Sequence, residues 1–407
     1  MSAATPDIGH DVLIVGGGPA GMMAGVLLAR AGVSVCVLEK HADFFRDFRG
    51  DTVHPSTMAI LDELGWLQAF LKRPHNRLDH AEIWYNQHRL VAGDLSHLHM
   101  PAPFIAMMPQ WEFLDFLRDQ ARALPSFALR MEAEAVELIE QEGRYSGVRL
   151  ADGEVLQAGK LVLMCDGRDS IVRQVLPVES LGVPIDVFWF AIPKDQAGSA
   201  LRGVIVGYRM FVLIDRGDYW QCAAVIAKGG AEQVKARGIE AFRDDVRSAL
   251  PELNNIEAAL PDWDAIKLLS VSLDRLTEWS RPGLLAIGDA AHAMSPVGGI
   301  GINLAIQDAV ATANILSRSL ARGQNVDSLL PAVQKRRLWP TRVIQGLQRA
   351  AHERVLQPLI EGRASVPADP PLLLRLLDKY PLLRRLPGHF IGHGVRQEQV
   401  RSPEALR

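Results

Sequence analysis

The chain has 407 residues and a formal net charge of −3, which is enough for two or three domains and leaves no basic field for nucleic acid. Its first residues lack the basic segment and apolar core of a secretory signal, and Arg30 interrupts the longest apolar run before it reaches a membrane span. Cys36, Cys165 and Cys222 fit no disulfide framework, zinc pattern or redox pair. We therefore expect a cytoplasmic protein without a bound metal.

A strand, a glycine-rich turn, a helix and a second strand are predicted within residues 11–40. Val12–Val15 is a β-branched apolar run, typical of a strand buried on both faces of a parallel sheet. The GxGxxG glycines that follow, and that open an apolar-periodic helix, are Gly16, Gly18 and Gly21. Such glycines allow a tight turn, backbone approach to a pyrophosphate, and close packing of helix on strand. The second strand, Ser34–Leu38, ends in Glu39. The stretch therefore predicts a dinucleotide site, with the pyrophosphate at the helix N-terminus and Glu39 on a ribose.

A polar loop follows the second strand and contains Arg46, Arg49, Gly50, Asp51 and His54. Two arginines directly after a nucleotide-binding strand predict a wall of the cofactor site. Residues 58–71 are predicted to form one amphipathic helix, and residues 78–99 to supply strands of a second sheet. His97 and His99 are expected on one face of such a strand. Because no third ligand stands at a matching spacing, we interpret them as structural rather than metal-binding.

The remaining elements alternate between helices and short strands. Helices are predicted at 111–124 and 239–250, and strands within 128–156 around a turn at Glu142-Gly143, at 160–165 and at 284–287. Residues 177–273 are strand-like and aromatic, as in a sheet that covers something, and are crossed by one helix, the one at 239–250. From Leu330 onward the chain is helical. The leucine- and arginine-rich run 371–390 is expected to cover the body of the protein, with a membrane surface as the alternative.

Two later segments each place an acid after a buried strand. One reads DGRDSIVR from Asp166, and the other reads GDAAHAMSPVGGIGINLAIQDA from Gly288 and contains Asp289. Ligands gather at the carboxyl ends of strands in open α/β sheets, so both acids are candidate ligand contacts. Glycines 298, 299 and 301 are expected to expose N–H groups at the start of a helix near Ile302, where they stabilise negative charge. The alternative is an N-cap aspartate and a flexible turn.

In this order and spacing, the three segments resemble the group A flavoprotein monooxygenases, the single-component aromatic hydroxylases typified by para-hydroxybenzoate hydroxylase. The resemblance covers about residues 11–320 and implies bound FAD. It places the three turn glycines on the pyrophosphate, Glu39 on the adenosine ribose, and Asp289 on the ribityl chain. It implies that Asp166 and Gly167 serve both FAD and the reductant. The other contacts that it implies are Arg49 and Gln110 at the phosphate and ribityl regions, Pro296 beside the flavin ring, and Gly301, Ile302 and Asn303 at its pyrimidine edge. We also count Pro19, Ala20, Lys40 and Gly299 among the cofactor residues.

The resemblance also implies a reaction. NAD(P)H binds transiently and reduces the flavin, O₂ adds to give a C4a-hydroperoxide, and oxygen passes to an activated ring of an aromatic or polycyclic small molecule. The protein positions the substrate and excludes water, so few catalytic side chains are expected. His54 is a candidate for proton handling, and an ordinary loop histidine is the alternative.

The expected fold class is α/β: a Rossmann-like FAD-binding domain interleaved with a β-sheet substrate domain, followed by a helical C-terminal segment. The FAD-binding domain comprises residues 1–77, 101–176 and 276–329, the substrate domain 78–100 and 177–275, and the C-terminal segment 330–407. The resemblance implies the short form, without the thioredoxin-like C-terminal domain. A homodimer is left open.

Three alternatives share this cofactor body. One is an FAD oxidoreductase without oxygen insertion, such as a reductase of unsaturated substrates. A flavin halogenase is disfavoured because Phe188 and Phe190 replace both tryptophans of the Trp-x-Trp-x-Ile-Pro signature. A non-enzymatic carrier need not keep the glycines and the Pro296 segment together, as this chain does. The substrate itself is not assigned, because Arg202, Tyr208, Arg209 and Arg216 are equally compatible with solvent-facing positions. The choice between NADH and NADPH is open.

Overall fold

The computed structural model describes residues 9–45, 52–86, 88–194, 201–360 and 369–405. Their strands are β1 (His10–Val15), β2 (Val35–Leu38), β3 (Thr52–Val53), β4 (Asn76–Leu78), β5 (His80–Tyr85), β6 (His88–Asp94), β7 (Ile105–Met107), β8 (Phe127–Arg130), β9 (Ala135–Gln141), β10 (Arg144–Leu150), β11 (Val155–Met164), β12 (Val178–Ser180), β13 (Ile185–Pro193), β14 (Leu201–Val206), β15 (Arg209–Asp215), β16 (Tyr219–Ala227), β17 (Lys267–Leu269), β18 (Asp274–Leu276), β19 (Ser280–Arg281), β20 (Leu284–Ala286) and β21 (His292–Ala293).

The α-helices in the same residues are α1 (Pro19–Arg30), α2 (Pro55–Glu63), α3 (Leu67–Phe70), α4 (Gln110–Ala121), α5 (Ala231–Ala236), α6 (Ile239–Ala249), α7 (Ile256–Ala259), α8 (Gly301–Ala321), α9 (Leu330–Ala351), α10 (Gln357–Ile360), α11 (Leu372–Lys379) and α12 (Pro381–His393).

An eight-stranded sheet carries the first part of the core. Its order is β19-β20-β11-β1-β2-β8, with β10 and β9 attached beside β11. The five strands β20, β11, β1, β2 and β8 run parallel, so their carboxyl ends meet at one edge. Val12–Val15 is at most 4% exposed, as expected for a strand covered on both faces. Helices α1 and α8 pack against each other beside this sheet.

A seven-stranded sheet forms a second layer, in the order β17-β13-β16-β15-β14-β5-β6. Most of its pairs are antiparallel, and β14 and β5 are parallel. Phe188 and Phe190 on one face pack edge-on against Phe242 of α6, with ring centroids 6.0 and 5.6 Å apart. Since strand side chains alternate, Trp189 faces the opposite side. The aromatic second sheet predicted from the sequence is therefore present. Two of its strands, β5 and β6, come before β7 in the sequence, and the other five, β13–β17, come after β12.

The helical C-terminal segment lies against the body, as predicted. Helices α11 and α12 pack on edge strand β6, and α12 also contacts α2. Four leucines nevertheless remain 65–72% exposed, and these are Leu372, Leu373, Leu382 and Leu386. Residues 395–405 follow α12 and are here called the C-terminal strap. They pack against helices α1 and α2. The backbone N–H of Ala405 donates to the carbonyl of Arg30 (2.9 Å), and that of Val400 donates to Glu63 Oε2 (2.7 Å).

Three predictions about local structure are wrong. The helix expected at 58–71 is two helices, because Gly65 adopts φ +74° after α2 and ends it. Residues 177–273 contain α5 and α7 in addition to the one predicted helix, which is confirmed as α6. His97 lies in a turn beyond β6 and His99 in the loop after it, rather than on a strand face, because β6 ends at Asp94.

No helix among the described residues is both long and apolar enough to cross a bilayer. In the same ranges, no group of three or more His, Cys, Asp or Glu side chains is arranged to hold a metal ion. The three cysteines are free thiols and all are buried. Burial raises the pKa of each thiol, most strongly at Cys165 and Cys222.

Candidate functional site

The three glycines of the turn between β1 and α1 differ in how closely other atoms approach them. Gly16 has φ +104°, and a Cβ there would lie 2.4 Å from the carbonyl oxygen of Cys165. A Cβ on Gly21 would lie 2.0 Å from the carbonyl oxygen of Gly16. By contrast, a Cβ on Gly18 meets nothing within 4 Å among the described residues. Gly16 and Gly21 are thus fixed by packing, while Gly18 borders open space at the N-terminus of α1. That is the arrangement needed for a pyrophosphate.

Glu39, at the end of β2, is tied to this turn. Its side chain is buried, with Oε2 accepting from the N–H of Gly17 (3.1 Å) and Oε1 from the N–H of His41 (3.1 Å). The acid predicted to face a ribose therefore also fixes the backbone of the turn. Lys40 is exposed beside it, Pro19 and Ala20 open α1, and Gln110 opens α4, which packs against α1. Arg49 lies outside the described residues.

Asp166 follows β11, and Asp289 follows the adjacent parallel strand β20, so both acids emerge at the same edge of the first sheet. Asp166 Oδ2 accepts from the N–H of Ile171 (3.2 Å), while Oδ1 is buried with no hydrogen-bond partner among the described residues. Burial raises the pKa of Asp166, and hydrogen bonds from Ser170 and Ile171 oppose that rise. A buried carboxylate oxygen without a partner is costly unless a ligand donates to it.

Two arginines join these acidic segments. Arg168 Nη2 lies 3.8 Å from Asp289 Oδ2, and Arg173 Nη2 donates to the carbonyl of Asp289 (3.1 Å). Arg173 also pairs with Asp274 at 2.8 Å. Burial raises the pKa of the Asp289 carboxyl, and Arg168 is the largest influence in the opposite direction. Gly167, next to Asp166, takes φ +90° with open space where a Cβ would stand, within the described residues.

Gly288 stands where two helix N-termini approach the same corner. A Cβ on Gly288 would be 3.0 Å from Cβ of Ala20 in α1 and 3.3 Å from Cβ of Ala305 in α8. A Cβ on Gly301, the first residue of α8, would lie 4.0 Å from Asp289 Oδ1. The N-termini of α1 and α8 and the two acids therefore surround one region. Unpaired N–H groups favour phosphate and ring oxygens there, and carboxylates accept from sugar hydroxyls.

The segment before α8 is held by Asn303. Its Oδ1 accepts from the N–H of His54 (2.9 Å) and from Oγ1 of Thr57 (2.8 Å), and its Nδ2 donates to the carbonyls of Thr52 (3.2 Å) and Gly299 (3.3 Å). The side chain of Asn303 thus clamps the β3–α2 junction to the glycine loop. A contact with a ligand falls to backbone groups of this first turn, where Gly301 and Ile302 also lie. Pro296 and Gly299 lie in the short helical turn just before it.

His54 caps α2 and is 1% exposed. Its Nδ1 donates to the carbonyl of Ile391 (3.1 Å), and Nε2 has no partner among the described residues. Burial lowers the pKa of His54 to about 4, so the ring is neutral near pH 7. It lines a small cavity of about 30 Å³ together with Gln307 and Arg337, a space far too small for a dinucleotide. A proton-handling role for His54 stays a prediction.

The face of the second sheet opposite α6 is apolar. It forms one cluster with a residue of the Pro296 turn, and the members include Val187, Ala223, Trp189, Val212, Val225 and Val297. The charged side chains considered for substrate binding are engaged elsewhere. Arg209 pairs with Asp245 of α6 at 2.7 Å, and Arg202 approaches Glu252 at 3.4 Å. Arg216 donates to Gln221 (2.8 Å), and Tyr208 is half exposed. Leu356 and Ile360 of the tail pack in the same cluster, and Val187 and Ala223 are each 3% exposed, so this apolar face is largely covered by the protein itself.

Sequence reasoning missed a buried charge network behind this region. Asp308 of α8 is fully buried and accepts from the N–H of Gly288 (3.1 Å), from His292 Nε2 (2.6 Å) and from Arg337 Nε (2.8 Å). Burial acts to raise the pKa of Asp308, but His292 and Arg337 outweigh it, so the pKa is lowered. The available signal was the acid in QDA at the end of the third segment, together with an arginine on the predicted tail helix.

A family model described as "FAD binding domain" matches residues 9–346. A 6-methylpretetramide 4-monooxygenase of Streptomyces rimosus is 31% identical over 402 residues, covering 96% of this chain and 94% of the relative. A para-nitrophenol 4-monooxygenase of Pseudomonas sp. (strain WBC-3) is 26% identical over 334 residues, covering 78% and 80%. Among solved structures, pqsL, a probable FAD-dependent monooxygenase from Pseudomonas aeruginosa, superposes with a TM-score of 0.71 at 22% identity, covering 87% of this chain and 98% of its own.

Proposed function

The chain belongs to the FAD-binding family of flavoprotein monooxygenases, and on that premise we propose that it uses NAD(P)H and O₂ to hydroxylate an aromatic or polycyclic small molecule. The observation that carries the proposal is the region around Gly18. There, two helix N-termini and the acids Asp166 and Asp289 surround space that protein packing does not claim among the described residues.

The residues of this region fit FAD by their chemistry. The N–H groups at the start of α1 suit the pyrophosphate, and Glu39 and Asp289 suit sugar and ribityl hydroxyls. The buried Oδ1 of Asp166 needs a donor, which a bound dinucleotide or the reductant supplies. The first turn of α8 offers N–H groups to the oxygens of a flavin ring. Bound FAD would accept reducing equivalents from NAD(P)H and activate O₂ for transfer to the substrate.

The apolar face of the second sheet supports the substrate class. Val187 and Ala223 are buried in one cluster with Leu356 of the tail, and the partly buried Trp189 and Val297 pack against it. A flat apolar ring that packs on the partly buried members of this face would gain about 25 cal/mol per Å² of apolar area buried, and the buried members would exclude water from the reacting atoms. The relatives named for 6-methylpretetramide and para-nitrophenol support an aromatic acceptor. Neither name identifies the substrate of this chain.

The test is the visible spectrum of the purified protein before and after anaerobic addition of NADPH, and separately of NADH. Flavin bands that bleach with one nucleotide support the proposal and identify the reductant. A protein that holds no flavin, even after FAD is added back, contradicts it and favours a carrier. Enzymes of this type can reduce slowly without substrate, so bleaching is also measured with a panel of phenols and polycyclic aromatics present.

Product mass separates monooxygenation from the remaining alternatives. Incubation with NAD(P)H, ¹⁸O₂ and the compound that most accelerates bleaching is expected to yield a product carrying one ¹⁸O atom. A product heavier by two hydrogens would indicate a reductase. Incorporation of chlorine or bromine from added halide would indicate a halogenase.

A further inference from the structure

Helix α9 carries a buried polar stripe on the side that faces the protein. Its members are at most 4% exposed, and they are Arg337, Thr341, Gln345, Gln348 and, in the turn after α9, His352. Spacings of three and four residues place them on one helix face. The opposite side exposes large apolar residues, including Trp339 (56%) and Leu347 (50%). Val333 and Ile344 of α9 are buried too, but a stripe of buried polar side chains departs from the usual amphipathic pattern, so these groups need a specific reason.

Gln348 satisfies that need by binding the segment next to Pro296. Its Oε1 accepts from the N–H of Ser295 (3.2 Å), while its Nε2 donates to the carbonyls of Ser295 (3.0 Å) and Val297 (2.9 Å). One side chain thus satisfies three backbone groups in total, two of Ser295 and one of Val297, on the two sides of Pro296. Proline has no N–H of its own, so this segment depends on its neighbours for its hydrogen bonds.

His352 adds a fourth bond to the same segment. Its Nε2 lies 2.9 Å from Oγ of Ser295, and that oxygen in turn accepts from the N–H of Val297 (3.3 Å). The Ser295 hydroxyl therefore links the His352 ring to the backbone at Val297. His352 begins a π-helical turn, residues 352–356. Such turns are rare and are often found at functional sites.

We propose that Gln348 and His352 are positioning residues that hold Ser295–Val297 against the edge of the bound flavin. This inference rests on the proposed function. Gly298 and Gly299 follow the segment with φ +84° and +60°, so the loop has little intrinsic stiffness. The bonds from α9 supply the stiffness, and neither residue needs to touch the cofactor.

The test compares two matched variants, Gln348→Met and Gln345→Met. Both residues are buried on α9, three positions apart, and Gln345 donates instead to the carbonyls of Asp274 (2.8 Å) and Ala293 (3.3 Å). Both variants are expected to lower the apoprotein's melting temperature. Gln348→Met alone is expected to shift the visible bands of bound FAD and to weaken FAD binding about tenfold, which corresponds to about 1.4 kcal/mol. Gln345→Met is expected to leave the bands unchanged and FAD affinity within about twofold.

A second pair keeps the test decisive if Gln348→Met does not fold. His352→Leu loses the bond to Ser295, whereas His352→Gln retains an amide that can donate or accept, so only the leucine variant is expected to shift the flavin bands. Equal effects of Gln348→Met and Gln345→Met on the bands and on FAD affinity would overturn the inference and leave the proposed function standing. Wild-type protein that binds no FAD would overturn both.

Discussion

Alanine substitutions at Gly18 and Gly21 separate cofactor binding from folding within one turn. Gly18 has φ −73° and ψ −177°, which any residue adopts, and its added methyl meets no described protein atom within 4 Å. The lower chain entropy of alanine and its poorer N-cap preference act in opposite directions, so the unfolding free energy should change by less than about 1 kcal/mol. The methyl instead occupies space expected for the pyrophosphate. Losing two charge-assisted hydrogen bonds costs about 3 kcal/mol, or roughly a hundredfold in the Kd for FAD.

Gly21→Ala should show the opposite balance. Its methyl would lie 2.0 Å from the carbonyl oxygen of Gly16, so β1 and α1 must separate, and overpacking of this kind costs about 1–3 kcal/mol or more. The assay is urea unfolding of each apoprotein, followed by FAD titration monitored by quenching of flavin fluorescence. Wild-type FAD affinity in Gly18→Ala would refute the placement of the pyrophosphate. An apoprotein of wild-type stability in Gly21→Ala would refute the packing argument.

Three further predictions concern buried titratable groups. Burial lowers the pKa of His54 to about 4, so the unfolded state binds the proton more readily and stability falls as pH drops from 6.5 towards 4. Urea unfolding should show a loss of about 2 kcal/mol from this group between pH 7 and pH 5, and a His54→Asn variant with the same pH dependence would contradict this. Asp308→Asn leaves the buried Arg337 without one of its carboxylates and should cost about 3 kcal/mol by the same assay, whereas an unchanged midpoint would show that the pair is not stabilising. The three buried cysteines, whose pKa values are raised by burial, should react with iodoacetamide at pH 8 only in denaturant; mass spectrometry that finds native labelling would disprove their inaccessibility.

Local sequence patterns were sufficient for the framework of the first sheet. Because side chains alternate between the two faces of a strand, the continuous apolar run Val12–Val15 predicted a strand buried on both faces. The spacing of the glycines predicted a turn into α1. The same kind of pattern failed at Gly65, since helical periodicity continues across a residue whose positive φ breaks the helix. The pattern failed again at His97, because it predicted strand structure as far as residue 99, whereas β6 ends at Asp94.

The support behind the candidate site could not be read from the sequence, because its members are far apart in the chain. Asp308 joins Gly288, twenty positions earlier, to Arg337, and Gln348 reaches back to Ser295. Each residue alone is compatible with a solvent-facing position on a helix. Only the packing of α9 on α8 makes these polar side chains internal. The polar residues recurring every three to four positions on α9 were the available signal, and the tail was interpreted only as a cover.

The C-terminal strap has a consequence for the order in which the chain acquires its structure during synthesis. Arg30 of α1 pairs with Glu404 at 2.8 Å, and Asn314 of α8 donates to the carbonyl of Gln399 (2.8 Å). The contacts between α1 and the strap therefore form only after residues 374 positions further along the chain have been synthesised. An affinity tag or fluorescent fusion partner placed directly after the strap would stand beside the opening helix, so a spacer is needed there.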